Sequence, residues 1–141
     1  MEKLNVYLSN LAVLNVKFHN LHWNLVGKQF VQLHQFTEES YDNLFEQYDT
    51  VAELLKMRNL FPLARLSDYL KVATVNELDS NEVSIDVVLN TLDHDFKLML
   101  DLATEIRNEA DKVNDFVVVS VFEGYVAAYQ KHLWFLKAIR S

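Results

Sequence analysis

Apolar and polar positions follow a four-three rhythm from the start of the chain: Leu4, Leu8, Leu11, Asn15, Phe18, His22 and Leu25 fall on one stripe of a helix. The spacing predicts a first helix over about residues 3–26, ended by Gly27, because glycine commonly occupies the position beyond a last turn. A second helix is predicted over about residues 31–59, where Leu33, Phe36, Tyr41, Leu44, Phe45, Tyr48, Val51, Ala52 and Leu55 supply apolar surface. Pro62, the only proline, bars simple continuation and opens a long connection. Within it Leu66, Tyr69, Leu70 and Ala73 predict a small helix inside residues 63–74. Asp79, Ser80, Asn81 and Glu82 offer N-caps to a third helix over about residues 84–110, and Asn114 and Asp115 offer them to a fourth over 116–139. The valine-rich start of the fourth could pass for a strand in isolation, but no partner strand is visible. Four long helices with one longer connection imply an all-α four-helix bundle with a crossover, as a single domain spanning residues 1–141.

Composition narrows the function classes. Half of the residues are apolar and 23% are charged, enough for a core and no case for disorder. Thirteen basic against 20 acidic residues give a formal net charge of -7, with no Lys/Arg run, so nucleic acid is not an expected partner. There is no Cys and hence no disulfide framework. The longest strongly apolar stretch, around residues 117–122, is far too short to cross a bilayer, and Met1-Glu2-Lys3 leads into an amphipathic pattern instead of a signal segment. A soluble, cytoplasmic protein is expected.

The candidate chemistry lies on the first two helices. His22 and His34 stand six residues either side of position 28, so antiparallel helices bring both imidazoles to one height. Relative to His34, the carboxylates Glu38, Asp49 and Glu53 fall at about 40°, 60° and 100° around the second helix, on one face. Glu38 and Asp49 are nevertheless roughly 16 Å apart along the axis, too far for one centre with ligand bonds of about 2 Å. A two-fold axis crossing the second helix near its middle removes the difficulty, because Asp49 and Glu53 of one copy then meet His34 and Glu38 of the other, with His22 joining from the side. Two imidazoles and three carboxylates suit Fe, Mn or Zn better than Ca or Mg, which prefer oxygen alone. Plainer readings stand beside this one: a lone His on an apolar stripe is ordinarily a hydrogen-bonded core residue, and Asp49 with Glu53 an ordinary solvated edge. Their joint placement is what argues for metal. No Glu is followed three residues later by His, so a centre built from Glu-x-x-His pairs within one bundle is set aside. Trp23 reads most simply as buried at a helix interface, and His19 as hydrogen-bonded locally. His94 and His132 are given no site, and Asp86, Asp93, Asp95, Asp101 and Glu105 read as a solvated acidic face.

The stretch Lys17-Phe18-His19-Asn20-Leu21-His22-Trp23-Asn24-Leu25-Val26-Gly27, followed by Phe30, Leu33-His34 and Asp49-Thr50-Val51-Ala52-Glu53, resembles the Dps family, the mini-ferritins that protect DNA in starved cells. The resemblance continues through Pro62, residues 66–73 and Lys131-His132-Leu133-Trp134. It implies a ferritin-like four-helix bundle with a short extra helix in the connection between the second and third long helices, assembled from two-fold dimers as a hollow homododecamer. In that family ferrous iron is oxidised between subunits, preferentially by hydrogen peroxide, and stored as ferric mineral. Carried over by position, His22, His34 and Glu38 come from one subunit and Asp49 and Glu53 from its neighbour, as catalytic and metal-binding residues. Two departures stand out: Glu38 replaces the usual Asp, and Leu54 follows Glu53 where the family has Arg. The Lys-rich extension of DNA-binding members is not expected here, and the acidic pore residues reduce to Asp115 and Glu123. The rival reading is a non-catalytic metal-sequestering or adhesive shell with a structural Zn or Mn ion in the same site.

Overall fold

The computed structural model describes residues 2–141. The elements run α1 (Glu2–Asn24), β1 (Leu25–Val26), α2 (Phe30–Met57), α3 (Leu66–Val72), β2 (Val83–Ser84), α4 (Ile85–Lys112) and α5 (Phe116–Arg140). Contacts cluster into two compact units, Glu2–Val88 and Leu89–Ser141. Among the described residues no helix is long and apolar enough to cross a membrane.

In the first unit α1 and α2 pack antiparallel. Tyr7 hydrogen-bonds Gln47, the Asn15 side chain reaches the carbonyl of Tyr41, and His22 meets His34, so partners climb one helix as they descend the other. Leu4, Tyr7, Leu8, Leu11, Leu14, Phe18 and Leu21 are all fully buried. Each contributes about 1.5–3 kcal/mol, against a few tenths from helix propensity, so packing holds α1 in place.

Asparagines fasten the long connection to α1. Asn5 accepts from the backbone N–H of Leu63 (2.9 Å) and donates to the carbonyl of Phe61 (3.3 Å). Asn10, fully buried, donates to the Thr74 hydroxyl (2.9 Å) and accepts from the Thr74 N–H (2.7 Å), while Asn20 donates to the carbonyls of Leu78 and Asp79. Residues 61–79 thus lie along α1 as a strap, with α3 in its middle.

The helix ends differ from the predicted ones for local reasons. Helix α1 stops at Asn24 because Leu25 and Val26 leave it to pair in parallel with Val83 and Ser84; Gly27 follows that pair at φ +144°, and does not cap the helix. Helix α2 stops at Met57, ahead of Pro62, because Asn59 takes a left-handed conformation (φ +61°) that lets Leu60 donate back to the carbonyl of Leu55. Ser84, not residues 79–82, caps α4, its hydroxyl oxygen accepting from the N–H of Val87 at 3.3 Å. The two candidates before α5 divide the work: Asn114 (φ +59°) ends α4, and the Asp115 carboxylate accepts from the N–H of Val118.

The second unit holds most of α4 against α5. Leu92, Phe96, Met99, Ala103, Ile106 and Ala110, buried at four-three spacing, form the inner stripe of α4, and Val118, Phe122, Tyr129 and Leu136 that of α5. The valine-rich start of α5 is helical.

Candidate metal centre

The turn joining α1 to α2 sets the two imidazoles face to face. Their centroids lie 3.6 Å apart with ring planes 16° from parallel. His22 Nδ1 donates to the backbone carbonyl of His34 at 2.7 Å, and His34 Nδ1 donates to the carbonyl of His22 at 2.9 Å. The second of these bonds satisfies one of the last four carbonyls of α1, which has no partner within its own helix. A carbonyl oxygen can only accept, so each Nδ1 carries a proton, and in the neutral form of each ring Nε2 is the nitrogen with the lone pair. The exchange of bonds fixes both tautomers in the form that can bind a metal.

Neighbouring side chains close the pair in. Phe30 stacks on His34 at 5.0 Å, Tyr41 meets His22 edge-on at 5.3 Å, and the Thr37 hydroxyl, 3.1 Å from His22 Nδ1, also donates to the carbonyl of Leu33 at 2.8 Å. Burial pushes the pKa of His22 below its ordinary value, and the charge repulsion of His34 works in the same direction. The hydrogen bond to His34 and the negative charge of Glu38 pull the other way without prevailing, and the ring is held neutral.

The carboxylates are placed less tightly. Glu38, one turn beyond His34, is exposed and close enough for its negative charge to be felt at His22 and at the Tyr41 hydroxyl. Asp49 and Glu53 are exposed further along α2. Among the described residues, no group of three or more His, Asp or Glu lies close enough within one chain to hold a metal ion. One chain brings together His22, His34 and the approach of Glu38; it does not bring Asp49 or Glu53 to them.

Trp23 is 69% exposed in the single chain instead of buried. His19 does bond locally, its Nδ1 donating to the carbonyl of Asn15 at 2.6 Å, and it also stacks on Tyr41 at 3.6 Å. Asp95, expected on a solvated face, is fully buried, and its Oδ1 lies 3.3 Å from Nδ1 of the exposed His94. Asp115 is spent on the helix cap, and Glu123 pairs with Arg107 at 3.3 Å. Sequence reasoning passed over Phe30, Thr37 and Tyr41 at this centre. The only signal was angular: Thr37 and Tyr41 lie three and seven residues beyond His34, on its side of the helix.

Comparison with known proteins places the architecture. The model of the ferritin-like domain matches residues 1–141. The chain is 32% identical over 130 residues to the DNA protection during starvation protein of Helicobacter pylori, covering 92% of this chain and 90% of that one. It superposes on the crystal structure of Helicobacter cinaedi CAIP with a TM-score of 0.96 at 30% identity, covering 99% and 98% of the two chains. It also superposes on a Dps protein from Vibrio cholerae, described as a member of a broad superfamily of ferritin-like diiron-carboxylate proteins, with a TM-score of 0.93 at 27% identity, covering 99% and 87%. The fold class is the one expected from sequence: all-α, a ferritin-like four-helix bundle with a short extra helix, α3, between the second and third long helices. This chain therefore belongs to the ferritin-like family and, within it, to the Dps proteins.

Proposed function

We propose that the protein is a ferroxidase and iron-storage mini-ferritin, oxidising ferrous iron with hydrogen peroxide at sites shared between two copies and keeping the ferric product inside a hollow homo-oligomeric shell, a dodecamer, in the cytoplasm. The observation that carries the reading is the reciprocal donation between His22 and His34, which leaves two Nε2 lone pairs side by side with Glu38 one turn away. A two-fold axis between Asn43 and Leu44 sets His34 opposite Glu53 of the second copy and Glu38 opposite Asp49. Phe45, 61% exposed and about 20° from His34 around α2, then lies near the axis as an apolar contact.

Ferrous iron is the substrate, held by neutral nitrogen from His22 and His34 and by the negative charge of Glu38, Asp49 and Glu53. Carboxylates stabilise the rising positive charge as each iron loses one electron, and the neutral imidazoles add no charge of their own. Two ferrous ions supply the two electrons that, with two protons, convert peroxide into two waters. Protection follows from removing both Fenton reactants, which does not require DNA binding by a chain of net charge -7.

The test is ferric absorbance after adding ferrous iron and peroxide without oxygen. His22→Ala and Asp49→Ala proteins that still assemble should lose most of the rate, and unchanged oxidation in both would remove the assignment. Hydroxyl-radical yield separates turnover from sequestration by a structural Zn or Mn site: paired oxidation consumes one peroxide per two ferrous ions without radical, whereas a shell that holds only Zn or Mn leaves the added iron to generate radical as free iron does.

A further inference from the structure

Thr37 is fully buried against His22, and its hydroxyl is oriented by its own helix. The hydroxyl donates back to the carbonyl of Leu33 at 2.8 Å or to that of His34 at 3.0 Å, one turn earlier in α2. Back-bonding of this kind selects among the rotamers open to a helical threonine. Both acceptors are carbonyls, so the hydroxyl proton is spent on the backbone and the oxygen turns a lone pair to His22 Nδ1, 3.1 Å away. The Nδ1–H of His22 is thereby shared between two oxygens, the other being the carbonyl of His34 at 2.7 Å. His34 Nδ1 has one, the carbonyl of His22 at 2.9 Å. The torsion that turns an imidazole about its Cβ–Cγ bond is soft, so a single acceptor leaves the ring free to rock, while two acceptors on different groups set its plane.

We propose that Thr37 is a positioning residue of the metal centre: its hydroxyl oxygen and the His34 carbonyl together hold the His22 ring in the plane that presents Nε2 to a metal ion, and they make His22 the stronger of the two nitrogen ligands. The inference rests on the reading of His22 and His34 as ligands. A cation on Nε2 draws electron density from the ring and makes Nδ1–H a better donor, so an extra acceptor there stabilises the metal-bound form more than the free one. His34 lacks that second acceptor. It stacks on Phe30 at 5.0 Å and on His22 at 3.6 Å, contacts that touch the ring faces and leave Nδ1 with its one carbonyl.

Cobalt(II) is a suitable probe because its d–d absorption reports the ligand field without iron oxidation. It is titrated into the full-length assembled protein, with the affinity read from calorimetry and the site from the visible spectrum. Thr37→Val keeps the branched shape and removes the hydroxyl, and Thr37→Ser keeps the hydroxyl. Thr37→Val should weaken cobalt binding about tenfold, the lower end of what removing such a supporting partner costs, and alter the d–d band, whereas Thr37→Ser should stay within about twofold of the parent. Because Thr37 acts through His22, the loss caused by Thr37→Val should persist in a His34→Ala background, and His22→Ala should cost more affinity than His34→Ala. An unchanged affinity and spectrum in Thr37→Val, a Thr37→Ser protein as weak as Thr37→Val, a loss that vanishes in the His34→Ala background, or the reverse order of the two alanine variants overturns the proposal while leaving the metal centre standing. A parent protein that binds cobalt no better than His22→Ala brings down the metal centre and this inference together.

Discussion

Replacing Gly27 with alanine tests how the fold aligns its two histidines. Gly27 sits at φ +144°, a backbone region that strains a side chain by about 1–3 kcal/mol. A Cβ built there would stand 2.5 Å from Cγ1 of Ile85, and forcing such a contact costs roughly another 1–3 kcal/mol. The lower entropy of the unfolded alanine chain offsets only about 0.4–1 kcal/mol. The net loss is therefore about 3 kcal/mol, and at roughly 4 °C per kcal/mol the melting temperature falls by about 12 °C. The two causes can be separated, because Ile85→Ala removes the contact and leaves the backbone strain. In a four-protein cycle followed by urea unfolding at one fixed protein concentration, the double variant should recover about 1–3 kcal/mol relative to the sum of the singles. Gly27→Ala within about 0.5 kcal/mol of the parent would refute the strain argument, and strict additivity would refute the contact. Both outcomes bear on the site, since Leu25, Val26 and Gly27 lie between His22 and the start of α2.

Asn10→Ala removes two hydrogen bonds to Thr74 and leaves a backbone N–H without its acceptor; a loss of about 2–3 kcal/mol and faster proteolytic cutting within residues 61–79 are expected, and unchanged cutting would refute the role of the strap. The pKa of His132 is pushed below the ordinary 6.5 by burial and then by the charge of Lys131, so the unfolded chain takes up a proton first as the solution is acidified. The stability this group contributes is complete above pH 6.5 and is lost as the pH falls toward the folded value; His132→Gln should flatten the dependence of unfolding free energy on pH in that window, and an identical slope would refute it. Phe45→Asp should lower the particle mass to that of one chain in light scattering while leaving its helicity intact, since Phe45 is 61% exposed; a retained dimer would displace the proposed two-fold axis.

What could be read from the sequence was what a single helix encodes. The stripes of α1 and α2, the extra helix α3 and the helical nature of α5 all follow from periodicity, because spacing fixes angle around an axis. Features that depend on a second element escaped it. A two-residue pairing of Leu25 and Val26 with Val83 and Ser84 has no periodicity to detect, so the end of α1 was displaced onto Gly27. Asn59 and Asn114 end their helices in left-handed conformations that asparagine tolerates but does not announce, and Pro62 drew attention from the first of them. Asn5, Asn10 and Asn20 find their partners on the strap, which periodicity along α1 does not reveal. Trp23 was assigned to an interface that a single chain does not provide.

At the candidate centre the same division has a chemical consequence. Spacing identified His22, His34 and Glu38 as neighbours, but it could not tell which ring nitrogen carries the proton, because that depends on two carbonyls facing across the turn. The structure holds the two imidazoles together by paired hydrogen bonds within one chain and leaves the carboxylates of Asp49 and Glu53 exposed further along α2. In the proposed assembly, neutral ligands are thus organised before pairing, and the negative charge that stabilises ferric iron arrives only with the second copy. A lone chain would hold ferrous iron weakly and gain little from oxidising it. On the proposed function, iron chemistry is tied to the pairing that also begins the closed shell, and the oxidised product is expected to form where that shell has a cavity to receive it.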